Sequence, residues 1–251
     1  MAITLSSISS TRRVRPPRVV IVGEGKIGKT TFATMAPNPV GILTEEGADN
    51  LDAKAFPMAQ SLAEVYEAIG VLMEEDHDFQ TLFIDSLDWM EPLIYKEVCA
   101  RNNWASIETP GYGKGYTEAA TEWRQLLHWL DELRAKRNMG IILIAHDKVK
   151  TINDPMIESY DAHVMKLNDR AGALVTEWAD VIGFAGYRLF MQEKKLGFGQ
   201  KETKAKTTGE RLLHVEPHPA HCGGNRFGMR DMALDWNVFA ANFAAATGGG
   251  S

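Results

Sequence analysis

Cysteine is scarce in this chain. Two residues of 251, Cys99 and Cys222, cannot build a disulfide framework, and a reducing cytoplasm is expected. Long apolar runs are missing too. Nowhere do about 18 apolar residues follow one another, so neither a transmembrane helix nor a membrane partner is expected. The opening MAITLSSISSTRRVRPPR holds no long apolar stretch of the kind a secretion signal needs. Positive charge is in deficit. There are 27 Lys and Arg against 33 Asp and Glu, a net charge of -6. That excludes a bulk cationic coat for nucleic acid and leaves room for a local basic groove. There is no internal repeat and no N-K-x-D guanine motif. What is there suits a packed core, with 45% hydrophobic and 24% charged residues.

Strands and helices alternate along the chain. Residues 18–22 (RVVIV) form a short β-branched run that ends in glycine, the pattern of a buried strand. Residues 28–35 read as a helix stopped by Pro37. Strands are expected over 40–44, 81–85 and 140–145, the last (GIILIA) apolar throughout, as a strand buried on both faces should be. Ser61 and Glu64 have capping-box spacing ahead of Leu62, Val65, Ile69 and Leu72 at helical intervals. Further helices are expected over 89–99, 117–137, 169–178 and 235–246. A polar loop is expected from 147 to about 167. Strands over 181–191 and 211–215 should flank a Lys- and Gly-rich hairpin loop, 193–209. The alternation implies mostly parallel strands with helices on both faces. The expected architecture is one α/β domain over 18–246 with a C-terminal antiparallel hairpin extension. It lies between a flexible arm (1–17) and a flexible tail (247–251).

The chemistry starts with Gly23-Glu24-Gly25-Lys26-Ile27-Gly28-Lys29-Thr30, followed by Thr31. It fits G-x-x-x-x-G-K-[ST], follows an apolar strand and opens a helix. Glycines let backbone N–H groups turn inward around phosphate oxygens, and a helix start adds positive potential there. Lys29 would reach the terminal phosphates, and the Thr30 hydroxyl would bind Mg²⁺. Asp85 ends the third strand, where a carboxylate can hold the same ion. Hydrolysis also needs a group to orient water. Glu45 and Glu46 sit together just past the second strand, on the ligand side of an open sheet. His146 follows the fourth strand on that side, as a γ-phosphate sensor would.

In their order, these elements resemble the RecA-like ATPases. More closely, residues 18–240 are similar to the phage RecA-like nucleotide-binding proteins, including the Sak-four group of single-strand annealing proteins. The resemblance is carried by GEGKIGKTTFA, TEEG, LFIDSL, PGYGKGY, ILIAH, Trp178-Ala179-Asp180-Val181 and NRFG. It implies a minimal RecA-like P-loop core, binding and hydrolysis of ATP with Mg²⁺, and ATP-dependent work on single-stranded DNA by a homo-oligomeric ring or filament. It places Glu46 at the catalytic glutamate and His146 at the sensor. Arg226 falls at a basic position that reaches a neighbouring subunit's nucleotide, although Gly224 replaces the first basic residue of that stretch.

The same resemblance assigns DNA contacts to segments 106–116 and 147–166. The first carries Tyr112, Lys114 and Tyr116. The second carries Lys148 and Lys150 with Tyr160 and His163, and Lys166 closes it. Cations contact phosphate and aromatics stack on bases. Lys194, Lys195, Lys201, Lys204 and Lys206 form a second basic stretch, read as a solvated hairpin. His214, His218, His221 and Cys222 have ligand types that suit zinc, although Pro217 and Pro219 constrain them. Two other functions fit the same residues. One is a DnaB-like helicase or helicase-loading ATPase. The other is a nucleotide-gated module that binds a phage or host replication or single-strand-binding protein and no DNA.

Overall fold

The computed structural model describes residues 4, 5, 8, 15–47, 52–195 and 201–248, except for the side chains of 191–195 and 201–205. Most of the expected arm and the end of the tail lie outside these residues, as do the side chains of Lys194, Lys195, Lys201 and Lys204.

Five strands run parallel in the main sheet: β1 (Arg18–Gly23), β2 (Pro39–Leu43), β3 (Thr81–Asp85), β4 (Gly140–Ala145) and the start of β7 (Val181–Lys195). Antiparallel strands β8 (Lys201–His214) and β10 (Met232–Ala233) extend one side, giving the order β10-β8-β7-β1-β4-β3-β2. The short β9 (Gly224–Asn225) pairs with the start of β7. The phosphate-loop strand is therefore central, with β4 between it and the strand that ends in Asp85.

Alternation of side chains builds a core on each face. Val20 and Val22 pack with helices α2 (Leu62–Glu74), α3 (Leu87–Asn102), α4 (Lys114–Arg137) and α5 (Asp169–Trp178). Val19 and Ile21 pack on the other face with Phe32 of α1 (Lys29–Thr34) and Phe239 of α6 (Trp236–Thr247). Each such fully buried Val or Ile contributes about 1.5–3 kcal/mol. Gly41 in β2 is needed for packing, because a Cβ there would lie 2.4 Å from the Phe83 ring. Ser61 caps α2 by accepting from the Glu64 N–H, but the Glu64 carboxylate reaches back to Gln60 N–H, one residue earlier than a reciprocal box requires.

Two expectations fail. Segment 147–166 is not a loop. It holds an antiparallel ribbon of β5 (Asp147–Ile152) and β6 (Tyr160–Met165), a separate two-stranded sheet. Neither strand has a fully buried face, and the alternation is confined to Tyr160, Ala162 and Val164 of β6, too short to stand out from a polar segment. The expected loop at 193–209 is mostly strand as well: β7 and β8 pair as far as Lys195 and Lys201, with an irregularity between Tyr187 and Leu189. Residues 196–200, between them, lie outside the described residues. Among the described residues, no helix is long and apolar enough to cross a membrane.

Candidate nucleotide site

The phosphate loop leaves β1 between β4 and β7, inside the sheet rather than at an edge. Gly28 begins α1 with φ 111°, a left-handed conformation that glycine adopts without strain. Gly23 is held close to β7, since a Cβ there would lie 2.5 Å from the Ala185 carbonyl. Gly25, Lys26, Gly28, Lys29, Thr30 and Thr31 face one cavity of about 440 Å³. Gly23 and Glu24 contribute carbonyls that accept from the Lys29 ammonium at 2.8 and 2.7 Å. Ile27, expected to line the site, is instead buried in the core below it.

Lys29 is 5% exposed, and burial lowers the pKa of its ammonium against the opposing pull of Asp85, Asp88, Asp147 and Glu45. The Thr30 hydroxyl donates to Asp85 Oδ2 at 2.7 Å. Burial raises the Asp85 carboxyl pKa. A hydroxyl and a carboxylate oxygen in contact beside a phosphate loop are hard donors that fit Mg²⁺. Residues expected from separate stretches of sequence, Lys29, Thr30, Glu46, Asp85 and His146, all line the same cavity.

The two glutamates differ. Glu46 is exposed at the rim, whereas Glu45 is half-buried, and burial raises its pKa. Glu45 Oε1 lies 3.9 Å from His146 Nδ1. The Thr44 hydroxyl steadies this turn by donating to the Ser86 carbonyl (2.7 Å) and accepting from the Ser86 N–H (2.9 Å). Both glutamates line the cavity, and Glu45 is the more enclosed of the two.

Arg226 is not in the cavity. Its N–H donates to the Asp180 carbonyl, and its guanidinium contacts Asp180 Oδ1 (3.4 Å) and the Glu177 carbonyl (2.6 Å). Asp180 in turn binds Arg18, the first residue of β1. Arg226 therefore lies a strand's length, about 20 Å, from the phosphate loop of its own chain.

The lysines expected on DNA are largely committed elsewhere. Lys148 donates to the Leu167 carbonyl (2.6 Å), Lys150 pairs with Asp169 (2.7 Å), and Lys166 lies 3.7 Å from Asp88. Tyr112 is exposed on the turn before α4, and Lys114 is exposed as the first residue of that helix. The sequence reading missed Arg170, which binds the Gly113 carbonyl (3.0 Å) and the Thr117 hydroxyl and so joins that turn to α5. It also missed Arg211, which donates to the Ile27 carbonyl at 3.2 Å and fills the space over Gly28. No motif marks either residue.

The zinc candidates do not converge. Among the described residues, no group of three or more His, Cys, Asp or Glu is placed to hold a metal. The rings stack instead. Phe184 lies 5.2 Å from His221 at 7°, and His221 lies 4.9 Å from His214 and 5.0 Å from His218. Burial, then the neighbouring His214 and His218, push His221 down to about 4. An unfolded histidine titrates near about 6.5. The unfolded chain therefore binds more protons between these values, and stability should fall as pH drops from about 6.5 to 4. His221→Phe keeps the stack and is expected to flatten this part of a melting-temperature-against-pH curve. An unchanged slope would assign the loss to other groups.

A glycine-rich loop, a buried lysine, a Thr–Asp pair and a flanking acid and imidazole around one cavity define a P-loop nucleotide-binding domain. The chain belongs to the AAA domain family, which matches it over residues 15–227. No curated protein matches it. The solved structures it matches include the crystal structure of the RadB recombinase, which is 16% identical, with 84% of this chain and 85% of that chain covered and a TM-score of 0.42.

Proposed function

We propose that residues 18–246 form a single RecA-like ATPase domain that acts on single-stranded DNA in phage recombination or annealing, as a protein of the Sak-four kind, and works as an oligomer. The observation that carries the ATPase reading is the gathering of Lys29, Thr30, Glu45, Asp85 and His146 around one cavity. Lys29 binds phosphate oxygens. Thr30 and Asp85 hold Mg²⁺, which neutralises phosphate charge when bound. A carboxylate of the Glu45-Glu46 pair orients water, and the half-burial of Glu45 favours Glu45. His146 senses the terminal phosphate. Arg226 serves a neighbour's site once it leaves Asp180, and an arginine in that role contributes about 10³–10⁵ in rate. Tyr112 and Lys114 offer stacking and phosphate contacts to DNA.

Hydrolysis of ATP across a protein-concentration series, with and without single-stranded oligonucleotide, tests this reading. The expected result is strong stimulation by DNA and a rise in rate steeper than linear. Glu45→Gln is expected to keep ATP binding and lower turnover about 10²-fold, with a smaller loss in Glu46→Gln. The reverse order would return the role to Glu46.

The internal pairing of Lys148, Lys150 and Lys166 favours a second reading, a nucleotide-gated module that binds a replication protein. Tight ATP binding with no oligonucleotide affinity and no stimulated turnover would support it. Strand displacement would instead indicate a helicase.

A further inference from the structure

Asp88 has no role in the site described so far. It is the second residue of α3, where an aspartate ordinarily faces the free N–H groups of its own helix. Here its side chain is 3% exposed and turned across to the end of β4. It accepts the His146 backbone N–H at 3.0 Å, and His146 Nδ1 lies 3.1 Å from each of its oxygens. The Lys166 ammonium stands 3.7 Å away. An ionised carboxylate so far from water must be paired, and these groups pair it. Burial alone would raise its pKa, but the hydrogen bonds from His146 hold it down to about 2.

The consequence falls on the histidine. An ionised carboxylate only accepts, so the proton shared with it sits on Nδ1. The His146 carbonyl is also held, by the Lys166 N–H at 2.8 Å. Nε2 is left, and it faces the phosphate loop: a Cβ on Gly25 would lie 3.8 Å from it. We infer that Asp88 is a positioning residue that fixes the His146 ring with its proton on Nδ1 and presents Nε2 to the phosphate loop. A purely structural aspartate would need only the backbone N–H. The inference rests on the reading of His146 as the group that meets the terminal phosphate.

Asp88→Asn separates the two roles. Its Oδ1 still accepts the backbone N–H, while its amide N–H₂ faces Nδ1 as a donor. An amide N–H₂ facing Nδ1 disfavours a proton there and favours a neutral ring that accepts at Nδ1 and carries its proton on Nε2. The full-length protein with ¹⁵N-labelled histidine, observed by NMR across neutral and alkaline pH, is expected to show Nδ1–H in the parent and Nε2–H in the variant. Turnover should fall about 10-fold or more, as it does when the group that orients a functional histidine is removed, with ATP affinity nearly unchanged. In a His146→Ala background, Asp88→Asn should cause no further loss. An unchanged tautomer, or an equal loss in both backgrounds, overturns the inference. If His146→Ala alone leaves turnover intact, the sensor reading fails, and the NMR result still decides what Asp88 does.

Discussion

Lys29→Met is expected to lower ATP turnover by about 10²–10³ or more and to leave the fold intact. The ammonium of Lys29 is nearly buried and held over the loop by the Gly23 and Glu24 carbonyls. A charge taken out of water acts on a phosphate through a lower effective dielectric, so it is worth more there than on a surface. Burial works against that charge, and Asp85, Asp88, Asp147 and Glu45 favour keeping it. Methionine preserves the length and most of the volume but offers no donor. A folded domain that binds nucleotide gains RT ln(1 + [L]/Kd), about 2.7 kcal/mol at 100 Kd. The melting-temperature rise with ATP and Mg²⁺ should therefore shrink or vanish in the variant, while its unliganded melting temperature stays near that of the parent. A variant that still turns over at the parental rate would move the chemistry out of this cavity.

The parts that were readable in advance share one physical feature. Residues 81–85 and 140–145 are strands buried on both faces, and α5 carries its own cap in Asn168. In each, local pattern and tertiary burial agree. That Lys29, Thr30 and Asp85 meet at one cavity was legible because the G-x-x-x-x-G-K-[ST] loop and the strand end each fix residue types at set positions. The β5–β6 ribbon was not, because neither of its faces is fully buried and its one short alternation, Tyr160-Asp161-Ala162-His163-Val164, sits in a polar segment. Asp88 was hidden for a related reason. An aspartate in the first turn of a helix has an ordinary local explanation, and only the folded chain shows its carboxylate turned toward His146. The choice between Glu45 and Glu46 depends on how one turn is clamped by Thr44 and Ser86, which adjacent identical residues cannot reveal. Arg226 shows the converse, a residue legible by motif but not by placement. Its motif was legible, but its partners, Asp180 and the Glu177 carbonyl, lie more than 40 residues away in sequence.

Asp180→Ala is expected to destabilise the protein by about 3–5 kcal/mol, a fall of roughly 6–20 °C in melting temperature for a chain of this size. Asp180 accepts from the Arg18 N–H (3.1 Å), Nε (3.1 Å) and Nη2 (2.8 Å), and from Arg134 Nη2 (3.3 Å). The side chains of Asp180, Arg18 and Arg134 are 9%, 15% and 13% exposed. Burial would raise the Asp180 pKa, and the guanidinium groups hold it below the usual carboxylate range. A depressed carboxyl pKa contributes stability that is present above the unfolded value, near about 3.9, and is lost as pH falls through the lower folded value. The acid limb of the parent's unfolding curve should accordingly weaken in the variant. Arg226 belongs to the same cluster, but its side chain is 54% exposed, where an ion pair contributes about 0–1 kcal/mol. Arg226→Ala should thus leave a folded protein. A large loss of concentration-dependent turnover in that variant, with little change in melting temperature, would place its guanidinium in a neighbour's site. A melting temperature that falls as far as it does in Asp180→Ala would make Arg226 a clasp of its own chain.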